Sequence, residues 1–335
     1  MSIRDVLIVG AGPSGLATAI AAKQRGLDHL VVEKGALVNS IFHFPTHMVY
    51  FTTPELLEIG GLPLVTPYEK PTRLESLRYY RRVVDTYQLQ VSLHERVTDI
   101  AREKNVFSVT TEDVEPSGAS AARRVRQARA VVLAIGYYDC PNLLGVPGED
   151  LPHVSHYYRE PHPYYRQRVV IVGGKNSAAE ASLELFRAGA HVTLVHRRGT
   201  LGDSIKYWVR PDIENRIKEG SIPAKFETRV VEITPTHVVL EGPGGRSHEP
   251  ADAVLLMTGY RSDPVLLRDV GAAMDPATGA PVHDEQTFET TVRGLFVVGA
   301  FIAGKQSGRI FIENGRFHGE VVITEIAARL GPTRS

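Results

Sequence analysis

With 335 residues, the chain is long enough for two domains of ordinary size, each able to bury its own core. Lysine plus arginine equals aspartate plus glutamate at 38 each, so there is no net positive field for nucleic acid or an anionic membrane surface, and neither is expected as a partner. No apolar run approaches the roughly 20 residues that span a bilayer, no charged leader precedes the first strand-like segment, and the single cysteine, Cys140, excludes an intramolecular disulfide; a soluble cytoplasmic protein is expected.

The first apolar run, Val6 to Val9, is followed by Gly10-Ala11-Gly12-Pro13-Ser14-Gly15 and a helical pattern through Leu16, Ala19, Ile20 and Ala22 to Gly26. A second run, Leu30-Val31-Val32, ends at Glu33, eighteen residues after Gly15. This βαβ unit carries the chemistry of a dinucleotide turn. Gly10 makes a tight bend, Gly12 lets a pyrophosphate approach the backbone, Gly15 packs helix on strand, and Glu33 offers a carboxylate to a ribose hydroxyl. Oriented N–H groups at the helix start favour the phosphates.

Residues 39–67 are rich in Pro, Thr, Gly and aromatics without a steady period, which predicts a long ordered loop with short helical pieces. Within it His43 and His47 stand four apart, but Pro45 intervenes and no cysteine or carboxylate cluster accompanies them, so polar contact with cofactor or substrate is expected and a metal is not. Leu74 to Tyr87 reads as an amphipathic helix with Leu74, Leu77, Tyr80, Val83 and Val84 on one side. Strands are predicted near Val91 to Leu93, Val106 to Thr110 and Val131 to Ile135, with Glu115 to Arg126 as an exposed hairpin tip. Cys140 is expected to be a bystander, and Tyr157, Tyr158, Tyr164 and Tyr165 to pack at a domain interface.

The pattern then restarts. Val169 to Val172 leads to Gly173-Gly174-Lys175-Asn176-Ser177, a helix to Gly189, and a strand Val192 to Val195 ending at His196-Arg197-Arg198. Lys175 stands where a second glycine would allow close approach, and its ammonium is available to a phosphate. The arginine pair replaces the acidic residue expected for NAD, and guanidinium groups suit a 2′-phosphate, although strand-end arginines also occur as solvated surface charge. Ala253 to Met257 with Thr258-Gly259-Tyr260 echoes Ala134-Ile135-Gly136-Tyr137, marking two crossovers that flank the inserted unit. The last strand is placed at Leu295 to Val298 and the last helix at about Asn314 to Leu330. That helix either faces a flavin with its N-terminus or only packs.

These readings predict an α/β fold with two Rossmann-like dinucleotide-binding domains, one (141–258) suited to NADPH and inserted into a discontinuous other (1–140 and 259–335), to which the flavoprotein resemblance of the closing string described next assigns FAD. The residues expected around FAD are Gly10, Gly12, Pro13, Ser14, Gly15, Glu33 and Lys34 from the first unit, Asn39, Ser40 and His47 from the loop, then Val97, Ala134 and Gly136, and finally Gly299, Ala300 and Ile312. Those expected around NADPH are Gly173, Gly174, Lys175, Asn176, Ser177, His196, Arg197, Arg198 and Gly259.

The closing string Gly294-Leu295-Phe296-Val297-Val298-Gly299-Ala300 resembles the flavin motif of thioredoxin reductase-like flavoproteins, except that Ala300 lacks the usual carboxylate. Ile41 to Met48, Thr53 to Gly61, Gly136-Tyr137-Tyr138-Asp139, Gly173 to Ser177 and Phe311 to Gly319 resemble, more narrowly, the YpdA-type bacillithiol disulfide reductases, over nearly the whole chain. The resemblance implies that Lys175 is normal in this branch and that the acceptor is a low-molecular-weight disulfide. It also marks a departure: the family commonly has a cysteine where this chain has Ser14, and no C-x-x-C pair is present. The catalytic candidates are therefore Ser14, His43 and His47, with the chemistry mainly on the flavin. Two other readings remain open: an electron-transfer flavoenzyme reducing ferredoxin, flavodoxin or a quinone, and a non-catalytic NADPH sensor. A homo-oligomer is expected by analogy alone.

Overall fold

The computed structural model describes residues 3–114, 122–305 and 308–331. It divides into two units, Met1–Cys140 with Tyr260–Ser335, and Pro141–Gly259.

The first unit opens with β1 (Arg4–Val9), α1 (Pro13–Gln24) and β2 (His29–Val32), followed by α2 (Asn39–Phe42), α3 (Arg73–Tyr87), β3 (Val91–Ser92), β4 (Glu95–Glu103), β5 (Val106–Asp113) and β6 (Arg123–Leu133). β3, β2, β1 and β6 run parallel in that order, and β5 and β4 continue the sheet antiparallel. Parallel strands lie between two covered faces and so read as unbroken apolar runs. In β1, Val6 and Ile8 face the core beneath α1, while Leu7 and Val9 face the opposite core.

The second unit holds β7 (Val154–Ser155), β8 (Arg168–Val172), α4 (Asn176–Arg187), β9 (His191–Val195), α5 (Arg210–Lys218) and β10 (Ala224–Lys225). A meander of β11 (Arg229–Ile233), β12 (His237–Gly242) and β13 (Gly245–Pro250) precedes β14 (Ala253–Leu256). Its five-stranded sheet, β10-β9-β8-β14-β7, is parallel throughout, and the meander is antiparallel.

Back in the first unit come α6 (Val265–Asp269), β15 (Leu295–Val297), α7 (Ile312–Gly315) and α8 (His318–Leu330). The early part of β6, through Ala128, pairs with β5; Val131 to Leu133 pair on with β15. The closing strand thereby ends beside the glycine turn after β1. Helix α8 lies close on α1 at Gly319, where a Cβ would stand 2.5 Å from Thr18 Oγ1. Among the described residues no helix is long and apolar enough to cross a membrane.

Several local expectations need correction. Leu74 is half exposed, and Ser76, Tyr79, Tyr80 and Val83 form the buried side of α3, because the hydroxyls of Tyr79 and Tyr80 reach backbone carbonyls of the 57–62 turn. Of the expected hairpin tip, residues 115–121 lie outside the described residues, while Arg123 to Arg126 are strand: Arg126 extends to the buried Glu95 and Arg124 to Asp113. Asn314 belongs to the short α7, and the last long helix begins only at His318. Among the four tyrosines expected at an interface, Tyr158 is buried in the second unit's own core and donates to Glu184 at 2.7 Å, Tyr164 packs on that core, and Tyr165 is exposed.

Candidate functional site

The first turn is built by exclusion. A Cβ on Gly10, whose φ is +105°, would meet the Ala134 carbonyl oxygen at 2.5 Å, and one on Gly15 would run into the carbonyl of Gly10. Both glycines are demanded by the protein itself. Gly12 is different: a Cβ there would meet nothing within 4 Å, and its backbone has an ordinary negative φ. The open space stands directly before α1, whose first turn has no side-chain cap and no acidic residue. A bare approach to uncapped N–H groups fits a dinucleotide pyrophosphate.

Glu33 is buried beneath this turn. Its two carboxylate oxygens accept the N–H groups of Ala11 and Gly35, each at 2.8 Å. Burial pushes its pKa up, and the two backbone donors pull against that shift. The side chain thus shapes the turn, a role the spacing alone did not reveal, and its remaining lone pairs are free to accept. Lys34 is exposed and pairs with Asp139 at 3.0 Å.

Asn39 accepts the Ala36 N–H at 3.2 Å, and its side chain lies where Gly35 would carry a Cβ. Ser40 is half-buried in α2, and His47 is exposed. The carbonyl of His43 accepts the Tyr138 hydroxyl at 3.2 Å, and the Tyr138 ring lies 4.6 Å from that of Tyr260 with the planes tilted by 40°, so a tyrosine from each crossover meets at the loop. Val97 is a core side chain of β4. Gly136 has a positive φ just after β6, and Ile312 opens α7 against the core. Gly299, with φ +68°, lies against Ser14, and Ala300 follows it in a short 3-10 turn. Gly10, Ser14, Gly15, Ala134, Gly299 and Glu33 therefore converge at the carboxyl ends of β1, β2, β6 and β15, where open α/β sheets bind ligands.

In the second unit a Cβ on Gly173 would meet the Met257 carbonyl at 2.6 Å, and the imidazole of His196 fills the place of a Gly174 side chain. Lys175 is exposed at the uncapped start of α4. Asn176, the next residue, clamps the segment after β9: its Nδ2 donates to the Ser204 carbonyl at 2.8 Å and its Oδ1 accepts the Lys206 N–H at 2.9 Å. Gly202 N–H also donates to the Gly174 carbonyl at 2.8 Å. Ser177 is exposed, and Gly259 accepts the Asn142 N–H at the second crossover. Arg197 and Arg198 are exposed and make no ion pair among the described residues. Burial, then the charges of Arg198 and Arg197, push the His196 pKa down, leaving a neutral ring beside two free guanidinium groups. That donor set fits a phosphorylated ribose.

Cys140 is half-buried, and burial raises its thiol pKa, so it is not an activated nucleophile. Among the described residues no group of three His, Cys, Asp or Glu could hold a metal ion.

Residues 7–299 match the model of the pyridine nucleotide-disulphide oxidoreductase family. The bacilliredoxin reductase Bdr of Bacillus subtilis is 42% identical over 330 residues, covering 96% of this chain and 97% of that protein. The solved bacillithiol disulfide reductase Bdr (YpdA) of Bacillus cereus superposes with a TM-score of 0.94 at 39% identity, over 98% of this chain and all of that one. A ferredoxin–NADP reductase of Ignicoccus hospitalis is 26% identical, over 89% of this chain and 90% of its own.

Proposed function

As the chain belongs to the pyridine nucleotide-disulphide oxidoreductase family, whose members are FAD-binding, NAD(P)H-dependent enzymes, we propose that it uses NADPH to reduce a bacillithiol-type disulfide. FAD held there would supply two-electron redox chemistry between nicotinamide and disulfide, with the overall balance that NADPH, one proton and one disulfide give NADP+ and two thiols.

The first unit is the FAD domain in this reading. Gly12 leaves room for the pyrophosphate, α1 directs N–H groups at it, and Glu33 fixes the turn while facing the ribose. The second unit takes NADPH, with Arg197 and Arg198 on the 2′-phosphate and Lys175 at the pyrophosphate. The observation that carries NADPH over NADH is the unpaired arginine pair at the end of β9. Ser14 cannot form a mixed disulfide, and Cys140 has no partner cysteine, so the chain's own residues bind, orient and exclude water and none is an electron carrier. His43 and His47 then serve as polar contacts of the loop. Such a dependence on NADPH and on thiol products suits the cytoplasm.

The missing thiol also favours a second reading, reduction of a small electron-transfer protein such as ferredoxin, to whose reductases the chain is less similar. Anaerobic mixing of the purified yellow protein with NADPH bleaches the flavin band, and bacillithiol disulfide restores it. Reoxidation by ferredoxin but not by the disulfide would transfer the assignment to the second reading, and no bleaching with either nicotinamide would end both.

A further inference from the structure

At the end of β15 the chain must turn sharply under the first glycine turn, in a motif that has lost its acidic side chain at Ala300. Gly299 is buried with φ +68°, and its N–H donates to Nδ1 of His318 at 3.2 Å. The acceptor nitrogen must carry a lone pair, which places the ring proton on Nε2. Burial and the neighbouring His283 push the His318 pKa down to about 4, which keeps the ring neutral at ordinary pH.

The ring is held from the side as well. Phe288 stacks on it with centroids 4.3 Å apart and planes 18° from parallel, and His283 stacks on Phe288 at 5.9 Å. Phe288 itself has φ +59°, a left-handed conformation that a bulky side chain adopts only when its surroundings impose it. Its carbonyl accepts the Val297 N–H at 3.0 Å, so the strained residue is tied to the strand that delivers Gly299. Beyond Gly299 stands Ser14: a Cβ on Gly315 would lie 3.1 Å from Ser14 Oγ and 3.2 Å from Gly299 Cα.

We propose that His318 is the positioning residue of the FAD site's closing turn, fixing Gly299 and hence Ala300 through an imidazole lone pair in a motif without a carboxylate. The inference rests on the assignment of FAD to the first unit. It predicts that the acceptor nitrogen at this position, more than the ring, governs how the flavin is held.

The test compares wild type, His318→Leu and His318→Asn. Asn keeps an acceptor near the place of Nδ1, and Leu has none. Apoprotein is titrated with FAD by fluorescence quenching, the flavin midpoint potential and visible band are recorded on the reconstituted proteins, and apoprotein unfolding is followed separately. Loss of the imidazole acceptor of this buried N–H should weaken FAD binding about tenfold or more in His318→Leu and shift the potential, with Asn restoring most of both. Equal weakening by Leu and Asn, or wild-type affinity and potential in Leu, overturns the proposal. Should His318→Leu not fold, His318→Phe carries the comparison: it keeps a ring against Phe288 but has no acceptor nitrogen, so a loss of affinity of about tenfold is expected and an unchanged affinity and potential overturns. If wild-type apoprotein takes up no FAD, the functional reading falls; normal uptake by wild type and variants alike removes only the role of His318.

Discussion

The side chain of Ser14 occupies the place where Gly299 would carry a Cβ: such an atom would lie 2.5 Å from Ser14 Oγ and 2.8 Å from its Cβ. Two segments nearly three hundred residues apart in sequence thus interlock beside the first glycine turn. Gly299→Ala should suffer twice, by about 1–2 kcal/mol for a left-handed backbone and about 1–3 kcal/mol for overpacking. Flavin retained per chain after purification, together with urea unfolding, measures the loss. Adding Ser14→Gly should recover the overpacking part, and strict additivity of the two substitutions would show that the residues do not touch in solution.

The same enclosure bears on the missing thiol. If the chain's residues only bind and orient, Ser14→Cys gives it a sulfur that the reaction does not use, lodged between Gly299 and Gly315. Turnover of bacillithiol disulfide should then stay within about twofold of wild type, since no step gains transition-state stabilisation. A rise of tenfold or more would establish that a thiol at this position limits the wild-type enzyme.

Glu95 couples acid stability to the first site. Its side chain is buried, meets Arg126 through two contacts of 2.7 Å, and accepts the hydroxyls of Ser92 and Thr111. Its backbone N–H donates at 2.9 Å to the carbonyl of Glu33. Burial raises its pKa, but the Arg126, Ser92 and Thr111 bonds together outweigh that and bring it from an ordinary 4.5 to about 2. A carboxyl whose folded pKa is depressed contributes stability above its unfolded pKa and loses it as pH falls toward the folded one. The window is therefore pH 4.5 down to 2, and the contribution, discounted because Arg126 is partly hydrated, is about 2 kcal/mol. Urea midpoints taken at pH 7 and pH 3 should fall for wild type and change less for Glu95→Gln, which is already weaker at pH 7. Parallel behaviour of the two proteins would show that Glu95 is not the group that titrates.

Much of this architecture is legible in the sequence because parallel strands buried on both faces leave apolar runs such as Val6 to Val9 and Val169 to Val172, and because glycine turns after them punctuate each unit. The antiparallel parts are not legible in the same way. In β4 the apolar residues Val97, Ile100 and Ala101 are broken by a register shift between Val97 and Asp99, and β13 is Gly-Arg-Ser-His-Glu-Pro with hardly a buried position. Around the site, the βαβ pattern points to Glu33 but not to its grip on Ala11 and Gly35, since both partners are backbone groups. Nor does any period announce that His318 meets Gly299, or that Asn176 clamps residues 204 and 206. These bonds join segments across loops, and loop geometry leaves no repeat to read.

The second unit offers the sharpest test of nucleotide choice. The His196 ring fills the place of a side chain at Gly174, so the residue before the two arginines is keyed into the glycine turn, and the guanidinium groups leave the strand end at a fixed point. Both are exposed and without ion pairs among the described residues, so neither must be freed before a phosphate binds. Each charge-assisted contact is typically worth about 1.5–3 kcal/mol. Arg197→Ala with Arg198→Ala should therefore raise KM for NADPH by about two to four powers of ten while leaving KM for NADH nearly unchanged, because only NADPH has the 2′-phosphate. Stopped-flow reduction of the flavin by each nucleotide separates binding from hydride transfer: the limiting rate should be preserved and the half-saturating NADPH concentration displaced. Equal losses with both nucleotides would mean that the pair acts on the common part of the dinucleotide, and the preference would then have to come from elsewhere on the second unit.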